Sequence, residues 1–241
     1  MEEKQNRHLP RITPLWSWLQ FTALALLLGV GILWLNIQQS HLSLQLSQQQ
    51  QASALRIAHD QQQEALLMNY MDTISDLMVH DKLFTARTAN PPDPVTVVAN
   101  TRTQEVLKQL DPDRKARLMR FLYEMNLINN DHHSVSLSET DLQHASLHNT
   151  DLRDTYLTSA NLSGADLRGA NLSYATLSYV NLSGANLTGA DLHGSDLHNV
   201  DLTGADITGA KLKDAFDLGQ TLFTKAKSLS GAIMPDGTVH P

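Results

Sequence analysis

"GADLRGANLS", residues 164–173, repeats Gly-Ala-Asp/Asn-Leu with a period of five. That spacing matches neither the 3.6-residue period of a helix nor the two-residue period of a strand. It belongs to a larger unit that turns a corner every fifth residue. Working outward from Leu167 and Leu172, the frame holds at Leu137, Leu142, Leu147, Leu152, Leu157, Leu162, Leu177, Leu182, Leu187, Leu192, Leu197, Leu202, Ile207 and Leu212, sixteen pentapeptides without a break. Two residues before each comes a small side chain, Ala in nine cases and Val, Thr or Ser in the others. A large and a small residue in strict alternation with polar ones describe a coil with Leu and Ala inside and the remaining positions in water. Four pentapeptides would close one square turn. Gly164, Gly169, Gly184, Gly189, Gly194, Gly204 and Gly209 lie two past their central Leu or Ile, where the chain turns and glycine is the inexpensive residue.

The run resembles the pentapeptide-repeat family, whose motif is A(D/N)LXX. That resemblance implies a mainly β repeat protein, a right-handed quadrilateral β-helix of about four coils over residues 132–213. Coils stacked at the β spacing would make a column about 20 Å tall. Its two ends need covers, because open ends present unpaired backbone groups. For the far end, "DLGQTLFTKAKSL" (217–229) places Leu218, Leu222, Ala226 and Leu229 on a helical stripe once the frame fails at Asp217, so 214–241 is expected to be a C-terminal capping helix and tail, with Pro235-Asp236-Gly237 as a turn.

At the other end of the chain, "LWSWLQFTALALLLGVGILWLN" (15–36) contains no charged residue and is long enough to span hydrocarbon. Trp16 and Trp18 at one end and Trp34 at the other occupy the two interfaces. The stretch lacks the short apolar core and cleavage site of a signal peptide, which makes it an uncleaved signal-anchor. Lys4, Arg7 and Arg11 precede it, and Arg56 is the only basic residue in the first twenty or so positions after it. The 1–14 tail is therefore expected in the cytoplasm and the repeat domain outside it, in a single-pass bacterial membrane protein.

Residues 37–63, rich in Gln and including "SQQQQ", read as a stalk or linker, with helix favoured because Gln, Leu and Ala are adequate helix formers. Residues 64–131 read as a small helical module. Leu67, Met71, Ile74 and Met78 form an amphipathic stripe; Pro91, Pro92 and Pro94 break the chain; a helix follows over 96–109; and Asp111-Pro112 opens another over 112–126 with Leu118, Phe121, Leu122 and Met125 on one face. The stretch "TRTQEVLKQLDPDRKARLMRFLYEMNLI" (101–128) looks like the segment joining anchor and array in a membrane-anchored bacterial subgroup of the family. Such a module could cap the first coil, leaving Arg114, Lys115, Arg117 and Arg120 on a solvated helix face.

Composition excludes several functions. The 241 residues carry a net charge of -7 and no cysteine, which removes disulfides, thiol nucleophiles and thiolate metal sites. Within 134–213, nine acids outnumber four Lys and Arg, a poor balance for binding nucleic acid directly. A column filled by Leu and Ala offers no cleft for catalysis, so no enzyme and no cofactor is expected. In "DLHGSDLHNVDL" (191–202) His193 and His198 occupy the same slot of successive pentapeptides and fall on adjacent faces, an arrangement unsuited to a metal. Asn161, Asn171, Asn181 and Asn186 begin glycosylation-like triplets that the repeat generates automatically; their better explanation is an amide ladder up the column. Tyr156, Tyr174 and Tyr179 are the array's candidate contact residues.

Two readings follow. The first is a membrane-anchored, non-catalytic structural or interaction module that contacts an unknown protein partner or another copy of itself. The alternative comes from the resemblance alone: quinolone-resistance members of the family are acidic columns that mimic duplex DNA and occupy topoisomerases.

Overall fold

Each pentapeptide has five N–H groups to satisfy, and the architecture follows from where they go. The computed structural model describes residues 15–80, 83, 93–129, 134–216 and 222–241. In the array, Asn161 donates its N–H back to Thr140 O at 2.9 Å, Leu162 donates forward to Asn181 O at 2.8 Å, and Gly164 donates forward to Ser183 O at 2.9 Å. Ala165 closes the corner by donating to Leu162 O at 3.1 Å. The fifth N–H, on Ser163, is taken by the side chain of Asn161 at 3.2 Å. The same local turn forms at Asp141, Asp191 and Asp206, onto Gln143, His193 and Thr208. Asp or Asn therefore precedes Leu because an Asx turn pairs a donor that the ladder leaves over. The amide ladder expected between coils gives way to this bond: Asn161 and Asn181 do stack as bridge partners, but each oxygen accepts from its own pentapeptide.

The register between coils is 20 residues. Parallel bridges join Asp141, Asn161, Asn181 and Asp201; Ser146, Asp166, Asn186 and Asp206; Asp151, Asn171, Asp191 and Lys211; and Tyr156, Thr176, Asp196 and Phe216. These four stacks are four faces of a column, termed A to D in that order. Each rung is a single bridge residue, because the chain turns before a longer strand can form. The sixteen Leu and Ile of the frame are buried, none more than 4% exposed. The small slots are buried as well, and Thr140, Thr155 and Ser195 there donate their hydroxyls to the Leu carbonyl three residues back, at 2.7 to 2.8 Å. At the corner slot φ is positive in every pentapeptide, in nine residues other than glycine as well as in the seven glycines.

The first coil is covered by helices. α1 is a single helix, Leu15–Val79; α2 is Pro94–Gln109; α3 is Pro112–Glu124. Asp93 caps α2 from Val95 N, so α2 begins at Pro94, two residues before the expected start and by the same Asp-Pro device as α3. Leu67, Tyr70 and Ile74 of α1 pack with Ala99, Val106 and Leu107 of α2 and Leu118, Met119 and Leu122 of α3 in one core with the column. Polar bonds fix the join: Ser136 N donates to Asn100 Oδ1 at 2.7 Å and Ser146 N to Pro112 O at 3.0 Å. Met125, expected on the apolar face, is 40% exposed and is the C-cap residue of α3, which ends at Glu124.

Only half of the basic run on α3 is a solvated face: Arg117 and Arg120 are exposed, and Arg114 and Lys115 are not. Arg114 is only 13% exposed and holds Asp60, Glu64 and Asp111 at 2.5 to 3.1 Å. Lys115 is buried and donates to Gln143 O at 3.2 Å, with Asp141 at 3.6 Å. Arg117 pairs with Glu64 at 2.7 Å, and Arg120 is exposed. Buried cations need partners, and α1 and the first coil supply them here.

The far end also departs from expectation. Among the described residues of the expected capping helix, Leu222–Lys225 forms a 3-10 turn and no α-helix follows it. The column then resumes, with Ser228 bridging Asp206 and Ile233 bridging Lys211, a register of 22 instead of 20. Leu229-Ser230-Gly231-Ala232 repeats the Leu-Ser-Gly-Ala of 162–165, and Ala232 is fully buried. Two extra residues hid a repeat that backbone pairing restores. The chain ends by folding back through Pro235-Asp236-Gly237, with Ile233 and Val239 as an antiparallel bridge.

α1 is long and apolar enough, by length and composition, to cross a membrane. Trp18 and Trp34 are 71% and 59% exposed, and among the described residues no other side chain lies within 4 Å of where a Cβ on Gly29 or Gly31 would stand. In the stalk, Ser40, Ser43 and Ser53 return their hydroxyls to carbonyls three residues back, at 2.8 to 2.9 Å, and the helix passes through without a break. The side chain of Trp16, the 1–14 tail, Pro91 and Pro92, His132 and His133, and Asp217 and Leu218 lie outside the described residues.

Candidate interaction face

Faces A, B and C share one chemistry. Their bridge positions are Asp or Asn except at Ser146 and Lys211. Each acid at these positions has a cation at hand: Asp151 with Arg153 at 2.7 Å, Asp166 with Arg168 at 2.6 Å, Asp191 with Lys211 at 3.5 Å and Asp206 with Lys227 at 3.2 Å. Asp141 lies 3.6 Å from Lys115, and Asp201 feels the charge of Lys225. The side-chain hydrogen bond from Arg168 holds the Asp166 carboxyl below the usual range. The Thr203 and Thr208 hydroxyls do the same for Asp201 and Asp206.

Face D differs at nearly every position. Its bridge residues are Tyr156, Thr176, Asp196 and Phe216, so three of its four rungs give up the Asx turn. Two corners flank it, and both bear tyrosine in the left-handed region, Tyr174 at φ 58° and Tyr179 at φ 61°. Tyr156, Tyr174, Tyr179 and Phe216 are 37%, 53%, 56% and 54% exposed. These four are all the Phe, Tyr and Trp between 134 and 216. The three sequence-predicted tyrosines thus meet on one face, joined by Phe216. Phe216 was legible as the next residue in the Tyr156 stack, once the 20-residue register was known.

The rings are placed by the coil below. Tyr174 meets His193 edge to face at a centroid distance of 5.2 Å, and Tyr179 meets His198 in the same way at 5.1 Å, its hydroxyl 3.2 Å from Nε2. Tyr174 lies over Gly194, where an added Cβ would come within 2.6 Å of the ring. Ser178 donates its hydroxyl to Asp196, which also accepts His198 N–H at 2.9 Å. His193 and His198 therefore serve as supports for tyrosines. Among the described residues no three His, Asp or Glu side chains are grouped to hold a metal ion. A shallow groove of about 490 Å³ lies beside Gln62, Leu66 and Gln109 on the helices, and the column's interior is filled.

Residues 136–173 and 175–214 match the family model of pentapeptide repeats, in eight copies. The column is a pentapeptide-repeat domain. Among solved structures, a pentapeptide repeat protein from the Arabidopsis thaliana thylakoid lumen aligns at 28% identity over 44% of this chain and 68% of that one, with a TM-score of 0.35. HetL, a pentapeptide repeat protein involved in heterocyst differentiation regulation in the cyanobacterium Nostoc sp. strain PCC 7120, aligns at 31% identity over 44% and 60%, with a TM-score of 0.22. QnrB1, a plasmid-mediated fluoroquinolone resistance protein, aligns in a trypsin-treated form at 23% identity over 42% and 50%, with a TM-score of 0.37. This chain thus spans half to about two thirds of the length of these pentapeptide-repeat proteins. No curated protein matches it.

Proposed function

We propose that the chain is a single-pass membrane protein whose four-coil pentapeptide-repeat column is a non-catalytic contact module for another protein, engaged through face D. The observation that carries this reading is the confinement of the column's exposed aromatic side chains to one face. Folding does not ask for them there: seven corners of the array use glycine, and a tyrosine at positive φ costs backbone energy that glycine avoids. Aromatic side chains are the residues that protein interfaces concentrate.

The DNA-mimic reading needs dense, uncompensated negative charge along the column. The acids of faces A, B and C have Lys or Arg beside them, which argues against it. By the excess of basic residues before the span, the column belongs on the extracytoplasmic side.

Site-specific photo-crosslinking in intact cells tests the contact. A benzophenone side chain in place of Tyr179 is expected to give a discrete adduct, and one in place of Thr188 on face B is not. Equal adducts from both, or none from face D, would sink the proposal. Because the protein has no cysteine, a Thr203→Cys variant labelled by an impermeant maleimide in unbroken cells reads the sidedness separately.

A further inference from the structure

Face D is distinguished by charge as well as by aromaticity. Four acids lie on it or at its corners: Asp196 on a rung, and Glu139, Asp154 and Asp214 at corners. Among the described residues none of the four has a Lys or Arg ion-pair partner; Asp214 has only His193, at 3.7 Å. The rung and outward positions of face D, 156, 158, 176, 178, 196, 198 and 216, carry no Lys or Arg. The array's own cations, Arg153, Arg168, Lys211 and Lys213, are all on faces B and C. Elsewhere on the column the acids at rung positions are neutralised from within the chain, and on face D they are left for something else.

We infer that face D receives a cationic segment of a partner protein, one presenting Arg or Lys side chains to the Tyr174 and Tyr179 rings with their charge facing Asp196, Asp154 and Asp214. This rests on face D being the contact face and names what contacts it. The chemistry is complementary in both respects. A guanidinium or ammonium over a tyrosine face is attracted by the ring's quadrupole, and a carboxylate nearby supplies a charge-assisted hydrogen bond. Tyr174 and Tyr179 stay 53% and 56% exposed beside His193 and His198, so about half of each side chain remains to meet a ligand. A nucleic acid or an anionic lipid surface would meet four like charges.

The test uses the full chain in detergent micelles. The probe is a fluorescein-labelled peptide alternating Arg and Ser, compared with its Glu-for-Arg counterpart and a labelled DNA duplex, and binding is read as anisotropy. The Arg peptide is expected to bind and the other two not. Tyr174→Gly and Tyr179→Gly use the residue most common at the array's corners, so the coil persists, and each should weaken binding about twofold to thirtyfold. Asp196→Asn should weaken it and steepen nothing else, whereas Asp206→Asn on face B should leave it unchanged. Tyrosine variants that bind as the parent does, with Asp196→Asn and Asp206→Asn weakened alike, would mean that the peptide follows net charge alone, and the inference would be overturned. A Glu peptide or DNA bound as tightly would overturn it too, as would sedimentation showing face D buried against a second copy. A discrete crosslink from Tyr179 to a partner without a basic segment would retain the contact face and reject the cationic occupant.

Discussion

Gly194 and Gly184 share a corner conformation and differ in what lies above them. Both have φ near 65°, where any side chain but hydrogen is strained. A Cβ on Gly184 would meet nothing within 4 Å, and one on Gly194 would come within 2.6 Å of the Tyr174 ring. Gly184→Ala is therefore expected to cost about 1 to 2 kcal/mol, the left-handed penalty alone. Gly194→Ala should cost more, because the ring must also leave His193. In a Tyr174→Gly background the two substitutions should converge. Thermal denaturation of the four proteins measures this; a Gly194→Ala cost that stays the same with and without the ring would mean that Tyr174 is not seated on this glycine.

The carboxylate that accepts hydrogen bonds from the residue two places on, first from its side chain and then from its backbone N–H, is the element that makes the column sensitive to acid. The carboxyls of Asp166, Asp201 and Asp206 titrate below the usual value because their charged forms accept hydrogen bonds, in the last two first from a Thr hydroxyl and then from a backbone N–H. A depressed folded-state pKa contributes stability above the unfolded value, about 3.9, and that stability is lost as pH falls through the lower folded value. The melting temperature should hold near neutrality and drop below about pH 4. Asp206→Asn should blunt the drop, since Asn161 and Asn181 make the same turn without titrating. If the variant fell as steeply as the parent, Asp206 would not be a contributor. Among the helices the comparable element is the Arg114 cluster, where one guanidinium ties α3 to Asp60 and Glu64 of α1. Arg114→Ala should cost about 1 to 3 kcal/mol and raise hydrogen exchange first over residues 60–79. Uniform exchange across the column instead would show that the cluster does not hold α1.

At the scale of the whole molecule the chain divides at His59/Asp60 into two units. The second contains the helical core, the column and its closing turn, and every contact described for face D lies within it. The described part of the first is a helix whose large apolar side chains are exposed. A fragment of residues 60–241 should therefore remain soluble without detergent and keep its cooperative melt, while the full chain partitions into membranes. Detergent-dependent solubility of the fragment would locate the membrane affinity elsewhere than in the apolar helix.

Sequence alone determined the five-residue repeat, the buried Leu and Ala positions and the apolar N-terminal stretch, because each is a local period or a local composition that no distant residue can change; the twenty-residue register between coils is a matter of backbone pairing. It also supplied the three tyrosines, but not their meeting place. Tyr156, Tyr174 and Tyr179 fall at different slots, two at corners and one on a rung, and only coil stacking brings them together with Phe216 on face D. The fate of the α3 cations was likewise tertiary. Arg114 and Lys115 look like a solvated run until α1 and the first coil place carboxylates and a carbonyl against them. The closing coil was concealed by two added residues, since a strict period fails at an insertion while backbone pairing tolerates it: the hydrogen bonds of Ser228 and Ile233 depend on where the chain returns in space, not on the number of residues it used to get there.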